Sequence, residues 1–183
     1  MVLVLYKSDY GSSKEYADAF AARCETTAAT WTDSGSVRAL LADASGADSL
    51  SPVVVFSYIH GPKVPGVDAA IAAWKQGRPT ALCIVGMTLL DKARSDDALA
   101  NQTGEDITRF YLPGRMNYSE LSTAHTAVMS GIVNAIRMKP KSLRSANDQS
   151  MIDMFKKDLD RVDLSELDPV YAWAESKESS RGL

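Results

Sequence analysis

Residues Val2-Leu3-Val4-Leu5-Tyr6 form an unbroken apolar run, and the chain then changes to Ser8-Asp9-Tyr10-Gly11-Ser12-Ser13 and a helical pattern. This order constrains the fold strongly, because a strand that is apolar on both faces belongs inside a parallel sheet covered by helices. The turn constrains the chemistry as well. A helix N-terminus leaves its first N–H groups without intrahelical acceptors and carries a partial positive charge, so it attracts anions. Ser8, Ser12 and Ser13 add hydroxyls, Tyr10 lies among them, and Gly11 admits a backbone conformation that other residues resist. The turn has neither a Walker-type lysine nor a G-x-G-x-x-G fingerprint. A neutral, hydroxyl-lined cradle of this kind suits a monophosphate better than a nucleoside triphosphate. A second reading uses the same residues differently: Ser12 and Glu15 match the S-x-x-E capping box that any helix can use.

The rest of the chain alternates strand and helix signals, which argues an α/β fold with a parallel sheet. The first helix is expected from about Ser13 to Cys24, with Tyr16, Ala17, Phe20, Ala21 and Cys24 on one face. Thr27–Trp31 reads as a weak second strand and Val37–Ala42 as a short helix. Val53-Val54-Val55-Phe56 is the clearest central strand, followed by a loop, Ser57–Gly66, that holds Gly61, Pro62 and Pro65. Val67, Ala70, Ile71 and Trp74 then recur at i, i+3, i+4, i+7. Thr80–Val85 reads as the next strand, Asp91–Thr108 is polar and poorly patterned, and Phe110–Leu112 is a plausible last strand. Beyond Pro113 the pattern is helical. Leu121, Ala124, Val128, Ile132 and Ile136 can share one face, and Pro140 ends that helix. A second helix is expected over roughly Asn147–Leu159, and a third with Asp168 as N-cap and Pro169 at its first position. Ser176–Leu183 reads as a frayed tail, so the expected domain spans residues 1–176, with 177–183 flexible. Trp74 and Trp173 read as core.

Composition narrows the class. With 183 residues, 45% hydrophobic and 23% charged, the chain fits one soluble domain, and a net charge of -3 gives no general attraction to nucleic acid. The two cysteines, Cys24 and Cys83, lie far apart in apolar settings and read as buried small hydrophobes. No Cys/His cluster suggests a metal. The first strand begins at Val2 without a charged leader region and no apolar run is long enough for a bilayer, so the expected compartment is the cytoplasm.

Ser8, Gly11 and Ser13 fill the pattern [ST]-x-x-G-x-[ST], and the turn resembles the phosphate loop of flavodoxins, which lies between the first strand and first helix and binds FMN. A second stretch, Gly114-Arg115-Met116-Asn117-Tyr118-Ser119-Glu120-Leu121-Ser122, is similar to a segment of one flavodoxin subgroup. That subgroup includes the flavodoxin-like protoporphyrinogen oxidases, quinone-linked enzymes of haem synthesis. There the segment is followed by a Met-rich helix, a basic patch, an insertion and a final helix. The counterparts here are Ala127 to Lys139, then Lys141 and Arg144, then Val170–Ala174, so the resemblance runs in order from Val2 to about Ala174. Two departures stand out. Ser57-Tyr58-Ile59-His60-Gly61 lies where the oxidases carry a similar stretch with an arginine. The family's mixed-charge insertion has no clear counterpart, and Asp148–Asp163 reads as an amphipathic helix in its place.

The resemblance implies a flavodoxin-like doubly wound five-stranded parallel sheet of order 2-1-3-4-5, extended by C-terminal helices, with FMN beyond the carboxyl ends of the strands at the switch point. Three loops should meet there: Ser8–Ser13, Ser57–Gly66, and Gly86-Met87-Thr88-Leu89. The expected contacts are Ser8, Tyr10, Gly11, Ser12 and Ser13 at the phosphate, with Ser57, Tyr58, Ile59, His60, Gly61, Gly86, Met87, Thr88 and Leu89 flanking the ring. Tyr58 could stack on a flat ring, although Gly and Pro are also what an ordinary rigid loop uses. His60 reads as a solvated loop histidine and His125 as a packed or surface one without a ligand partner.

Three functions remain open from these residues. In the first, FMN passes two electrons from a reduced substrate to a quinone-type acceptor, and the sequence requires no catalytic acid or base. In the second, the chain is a one-electron carrier between redox proteins. The ring-side loop Ser57–Gly66 holds His60 and Lys63 and no acid, which favours the first. In the third, the fold has lost its cofactor and serves interaction alone, against which the intact hydroxyls of Ser8, Ser12 and Ser13 argue. Arg137, Lys139, Lys141 and Arg144 follow an apolar helix, and this basic end could touch an anionic membrane surface, at the inner face. It could equally close a core helix, since the macrodipole favours cations there.

Overall fold

The computed structural model describes residues 1–43, 50–59, 63–104, 106–121 and 123–179. His60 and Gly61, both expected at the site, and Ser122 of the second motif lie outside the described residues. The central sheet is built from β1 (Leu3–Lys7), β2 (Ala28–Thr30), β3 (Val53–Tyr58), β4 (Thr80–Gly86) and β5 (Thr108–Pro113). All neighbours pair in parallel in the order β2-β1-β3-β4-β5, the doubly wound arrangement expected. The switch point falls between β1 and β3, where Tyr6 pairs with Phe56 and Lys7 with Ser57. Ser57 and Tyr58 therefore end a strand and do not begin the loop, because β3 continues its ladder against β4 as far as Tyr58.

Strand alternation sorts the core into two layers. Val54 and Phe56 face α1 (Ser12–Arg23) with Tyr16, Ala17 and Phe20, while Val53 and Val55 face α2 (Ser34–Asp43) and α3 (Gly66–Trp74) with Val37, Leu41 and Ala70. Each Val, Leu and Phe among them, fully buried, favours the fold by about 1.5–3 kcal/mol over exposure. The α1 layer is closed by the last helix, α8 (Asp168–Ser179): Tyr171 stacks on Phe20 at 4.7 Å, and Leu167, Val170 and Ala174 are buried beside it.

Several expected boundaries change, each for a local reason. Residues 91–108 contain two helices, α4 (Leu90–Asp96) and α5 (Ala100–Thr103). The helix expected to reach Leu159 stops early: α7 is Ala146–Asp153, opened by a capping box between Ser145 and Asp148. A short strand β7 (Leu159–Asp160) follows and pairs antiparallel with β6 (Arg115–Met116). Asp168 is itself helical, because a 3-10 turn at Leu164–Leu167 runs directly into α8; its carboxylate reaches Arg23 at 3.2 Å. That helix continues to Ser179, past the start of the expected tail. Trp74 is 41% exposed at the last turn of α3 and is not core, while Trp173 is half-buried against the α1 layer. Cys83 is buried and Cys24 half-buried, and both are free thiols.

The long helix α6 (Thr123–Met138) corrects a further expectation. Its apolar face does not fill the core: Val128 is 57%, Ile132 40% and Met138 87% exposed, and among the side chains described Val133 is the one that is buried. No helix among the described residues is long and apolar enough to cross a membrane.

Candidate functional site

The turn after β1 is shaped by its own side chains. Gly11 donates its N–H to Ser8 Oγ at 3.1 Å and adopts φ +87°, a left-handed conformation that glycine takes without strain. Gly11 thus becomes the N-cap of α1 with no side-chain cap, and the helix begins at Ser12. This removes the capping-box reading: Glu15 donates its backbone N–H to Gly11 O at 2.9 Å, while its carboxylate turns away to Arg115, also at 2.9 Å. The N–H groups of Ser12, Ser13 and Lys14 are left without acceptors among the described residues. Ser13 is fully buried, and its Oγ has no hydrogen-bond partner. A buried orphan hydroxyl beneath three free N–H groups has the donor chemistry that a small anion needs.

The other two loops reach the same end of the sheet. Tyr58 is the last residue of β3 and Ile59 follows it, and Ile59 N–H bonds Val85 O at 3.0 Å, tying this segment to β4. Ser57 is fully buried, and its Oγ accepts the N–H of Gly66 at 2.9 Å, so it fastens the start of α3. Burial first, and then the adjacent Asp9 carboxylate to which it hydrogen-bonds, push the Tyr58 phenol above its ordinary pKa. Asp9, from the turn after β1, therefore places a carboxylate beside the end of β3. Gly86, Thr88 and Ile59 line a small, mainly apolar pocket of about 110 Å³ with Ile84, Leu90, Tyr111 and Leu112, between α4 and the last residues of β4 and β5. A Cβ on Gly86 would lie 2.5 Å from Ile59 Cγ2, so glycine is required for this close packing.

The C-terminal segment supplies contacts that sequence reasoning missed. Leu89 N–H bonds Asn147 Oδ1 of α7 at 3.1 Å. Arg161 reaches Met87 O at 3.4 Å and Ser150 Oγ at 2.9 Å, and its own N–H bonds Gly114 O at 3.1 Å. The Met87–Leu89 loop is thus held by residues some sixty to seventy positions further on. Tyr10 is likewise held from a distance: its hydroxyl and His125 Nδ1 on α6 share a 2.9 Å hydrogen bond. His125, half-buried on α6, thus pairs with a side chain of the turn after β1. Burial, then the charges of Asp9 and Glu120, raise the Tyr10 pKa. Sequence spacing gave no signal for these pairs. Among the described residues, no group of His, Cys, Asp and Glu could hold a metal.

A family model described as a flavodoxin domain matches residues 3–143. The chain belongs to the flavodoxin-domain family. Flavodoxin domains bind flavin, typically FMN, and the function of this one lies in flavin-linked redox chemistry. The match covers β1 to the turn after α6, including all three site loops, and stops short of α7 and α8. No curated protein matches the chain.

Proposed function

We propose that this flavodoxin domain holds FMN and passes electrons in pairs from a reduced small-molecule substrate to a quinone-type acceptor, as its resemblance to the flavodoxin-like protoporphyrinogen oxidases implies. The observation that carries the cofactor is the orphaned Ser13 hydroxyl beside the free N–H groups of Ser12, Ser13 and Lys14. FMN, when bound, supplies the electron chemistry of its ring. The chain's own residues do the rest. The α1 N-terminus and its serines bind the phosphate, with Gly11 keeping the turn open. Tyr58, Ile59 and the Met87–Leu89 loop orient the ring, and Asn147 and Arg161 keep that loop in place.

The acceptor side of the reading rests on α6. No acid occurs between Thr123 and Arg144, the helix exposes an apolar face, and Arg137, Lys139, Lys141 and Arg144 gather at its end. Arg144 donates to the carbonyls of Arg137 and Lys139, which satisfies the helix terminus, and Lys139 pairs with Asp148 at 3.1 Å. An exposed amphipathic helix with a basic end suits peripheral contact with an anionic bilayer, where a lipophilic acceptor resides. It does not resemble the acidic surface of a soluble shuttle. The competing function, a one-electron carrier, is favoured by one observation, the Asp9 carboxylate at Tyr58, because negative charge near the ring disfavours the fully reduced anion.

The absorbance of the purified protein, with mass analysis of the released cofactor, tests the first claim. A protein that takes up no FMN, or prefers FAD or a nicotinamide nucleotide, refutes it. Rapid reoxidation of the reduced protein by a quinone, or oxidation of a porphyrinogen, supports the enzyme. Fast exchange with one-electron protein acceptors alone supports the carrier.

A further inference from the structure

We propose that Arg115 is a charged element of the phosphate loop, contributed from across the fold, and that it sets the preference for phosphorylated over unphosphorylated flavin. The proposal rests on the flavin reading above. By sequence the loop is a neutral cradle of serines and N–H groups, and nothing in its own residues foreshadows a cation.

The backbone brings Arg115 to the loop. Gly114 N–H bonds Gly86 O at 2.7 Å, and a Cβ on Gly114 would come within 3.2–3.3 Å of three Gly86 backbone atoms. The chain thus leaves β5 packed closely against the last residue of β4. Arg115 then lies above the first turn of α1, three-quarters buried, with 24% of its side chain exposed.

Its guanidinium is oriented by two carboxylates. Nε and Nη2 donate to Asp160 Oδ2 at 2.9 and 2.6 Å, and Nη2 also donates to Glu15 Oε2 at 2.9 Å. Asp160 itself is held by the β6–β7 pairing, in which Arg115 and Asp160 are register partners. The remaining nitrogen, Nη1, has no acceptor among the described residues and lies 3.8 Å from the point a Cβ on Gly11 would occupy. Two nitrogens are fixed by acids and the third faces the glycine that shapes the anion site. A fork held in this way has lost its rotamer freedom before any ligand arrives, so its contact with an anion costs little further ordering.

The charges decide what the arrangement does. Glu15 stands in the first turn of α1 with Asp160 beside it, and Lys14 of the same turn is paired with Asp18, so without Arg115 acids outnumber cations at this end of the helix and oppose a phosphate dianion. Arg115 offsets both acids and presents Nη1 toward the loop. Replacing it with a neutral residue removes an attraction and uncovers a repulsion, and both effects weaken phosphate binding. Neither acts on riboflavin, which carries no phosphate. A residue that only clasped α1 to β7 would affect both ligands alike.

The test compares wild-type protein, Arg115→Gln and Arg115→Lys, each freed of flavin and titrated with FMN and with riboflavin at low and high salt. The expected result is a fall of about tenfold or more in the FMN-over-riboflavin preference for Arg115→Gln, the size expected for a lost charge-assisted hydrogen bond. Arg115→Lys should retain part of the preference, and the salt dependence of FMN binding should become shallower in Arg115→Gln. In a thermal-shift assay, inorganic phosphate should protect flavin-free wild type more than flavin-free Arg115→Gln. A preference unchanged in both variants overturns the proposal, whether affinities for the two flavins fall together or stay put. If Arg115→Gln does not fold, the ratio in Arg115→Lys decides by the same criterion. A wild type that does not prefer FMN to riboflavin overturns the flavin reading itself, a separate result seen before any variant is made.

Discussion

Ser13→Ala should have opposite effects on the flavin-free and flavin-bound protein. Ser13 is fully buried, and its Oγ has no partner. An unsatisfied buried hydroxyl costs about 1–3 kcal/mol of desolvation, and Ser13→Ala, which deletes the oxygen and leaves Cβ as a methyl group, removes that cost while changing the volume little. The flavin-free variant should therefore match or exceed wild type in stability. The same hydroxyl, next to the free N–H groups at the start of α1, is placed to donate to a phosphate, and a hydrogen bond to a charged group is worth about 1.5–3 kcal/mol. At 1.4 kcal/mol per decade, FMN should bind roughly 10–100-fold more weakly to the variant, with riboflavin little changed. Urea unfolding of the flavin-free proteins measures the first effect, and quenching of flavin fluorescence on titration measures the second. Adding Ser12→Ala should deepen the loss for FMN alone. A flavin-free Ser13→Ala destabilised by more than about 1 kcal/mol, with FMN and riboflavin weakened equally, would show that Ser13 packs the helix start and holds no phosphate.

Three further outcomes follow from particular contacts. Tyr16 donates to Pro113 O at 2.8 Å and accepts from Asp163 N–H at 2.9 Å, so Tyr16→Phe should cost about 1–3 kcal/mol by chemical denaturation. Burial pushes the Tyr16 and Tyr111 phenols up to about 12, while unfolded tyrosine ionises near 10. The folded state keeps these protons longer, so their contribution is intact below pH 10 and is lost as pH rises toward 12; Tyr16→Phe should blunt that alkaline loss, and an unchanged alkaline limb would refute the assignment. In co-sedimentation, the protein should bind anionic phospholipid vesicles at low salt and neutral ones poorly, and Ile132→Asp with Met138→Asp should abolish binding; equal behaviour of wild type and variant would remove the membrane contact. Finally, Asp9→Asn should raise the potential for the second electron and narrow the gap between the two one-electron steps in a reductive titration, whereas an unchanged gap would place Asp9 away from the ring.

What was legible in the sequence was what local chemistry dictates. The apolar runs at Val2–Tyr6, Val53–Phe56 and Thr80–Val85 mark strands buried on both faces, and the hydroxyl turn marks the loop between β1 and α1. The order of the strands came from the family resemblance and agrees with the sheet. The illegible parts are those whose cause lies elsewhere in the chain. Helix α4 buries no residue and so has no apolar stripe to read; it is supported by the Lys92–Asp96 pair and by Asn147 accepting from Leu89. The face of α6 was readable as apolar, but its period could not say whether protein or solvent lies opposite. Asp9 was visible in the phosphate loop, yet its influence on Tyr58 needed the β1–β3 pairing to bring the loops together. Arg115 lay within a recognised motif, and its reach to Gly11 depends on a backbone turn between two glycines that no spacing rule encodes.

The family match ends at residue 143, but the physical domain does not. Helix α8 covers α1 with Tyr171 stacked on Phe20, and Tyr171 also donates to Ala19 O at 3.1 Å, so without it the α1 layer of the core would face water. Residues between α6 and α8 act on the site itself. Asn147 and Arg161 hold the Met87–Leu89 loop, and Asp160 orients the Arg115 guanidinium. The same segment is joined to α6 through Lys139 and Asp148, and α6 is joined to the phosphate-loop turn through His125 and Tyr10. Both the turn after β1 and the Met87–Leu89 loop are therefore tied to a C-terminal layer beyond the sheet, and that layer includes the exposed basic helix. Part of the geometry of the candidate site is thus set by α6 and by the segment that follows it, and a change in either reaches the loops through these hydrogen bonds.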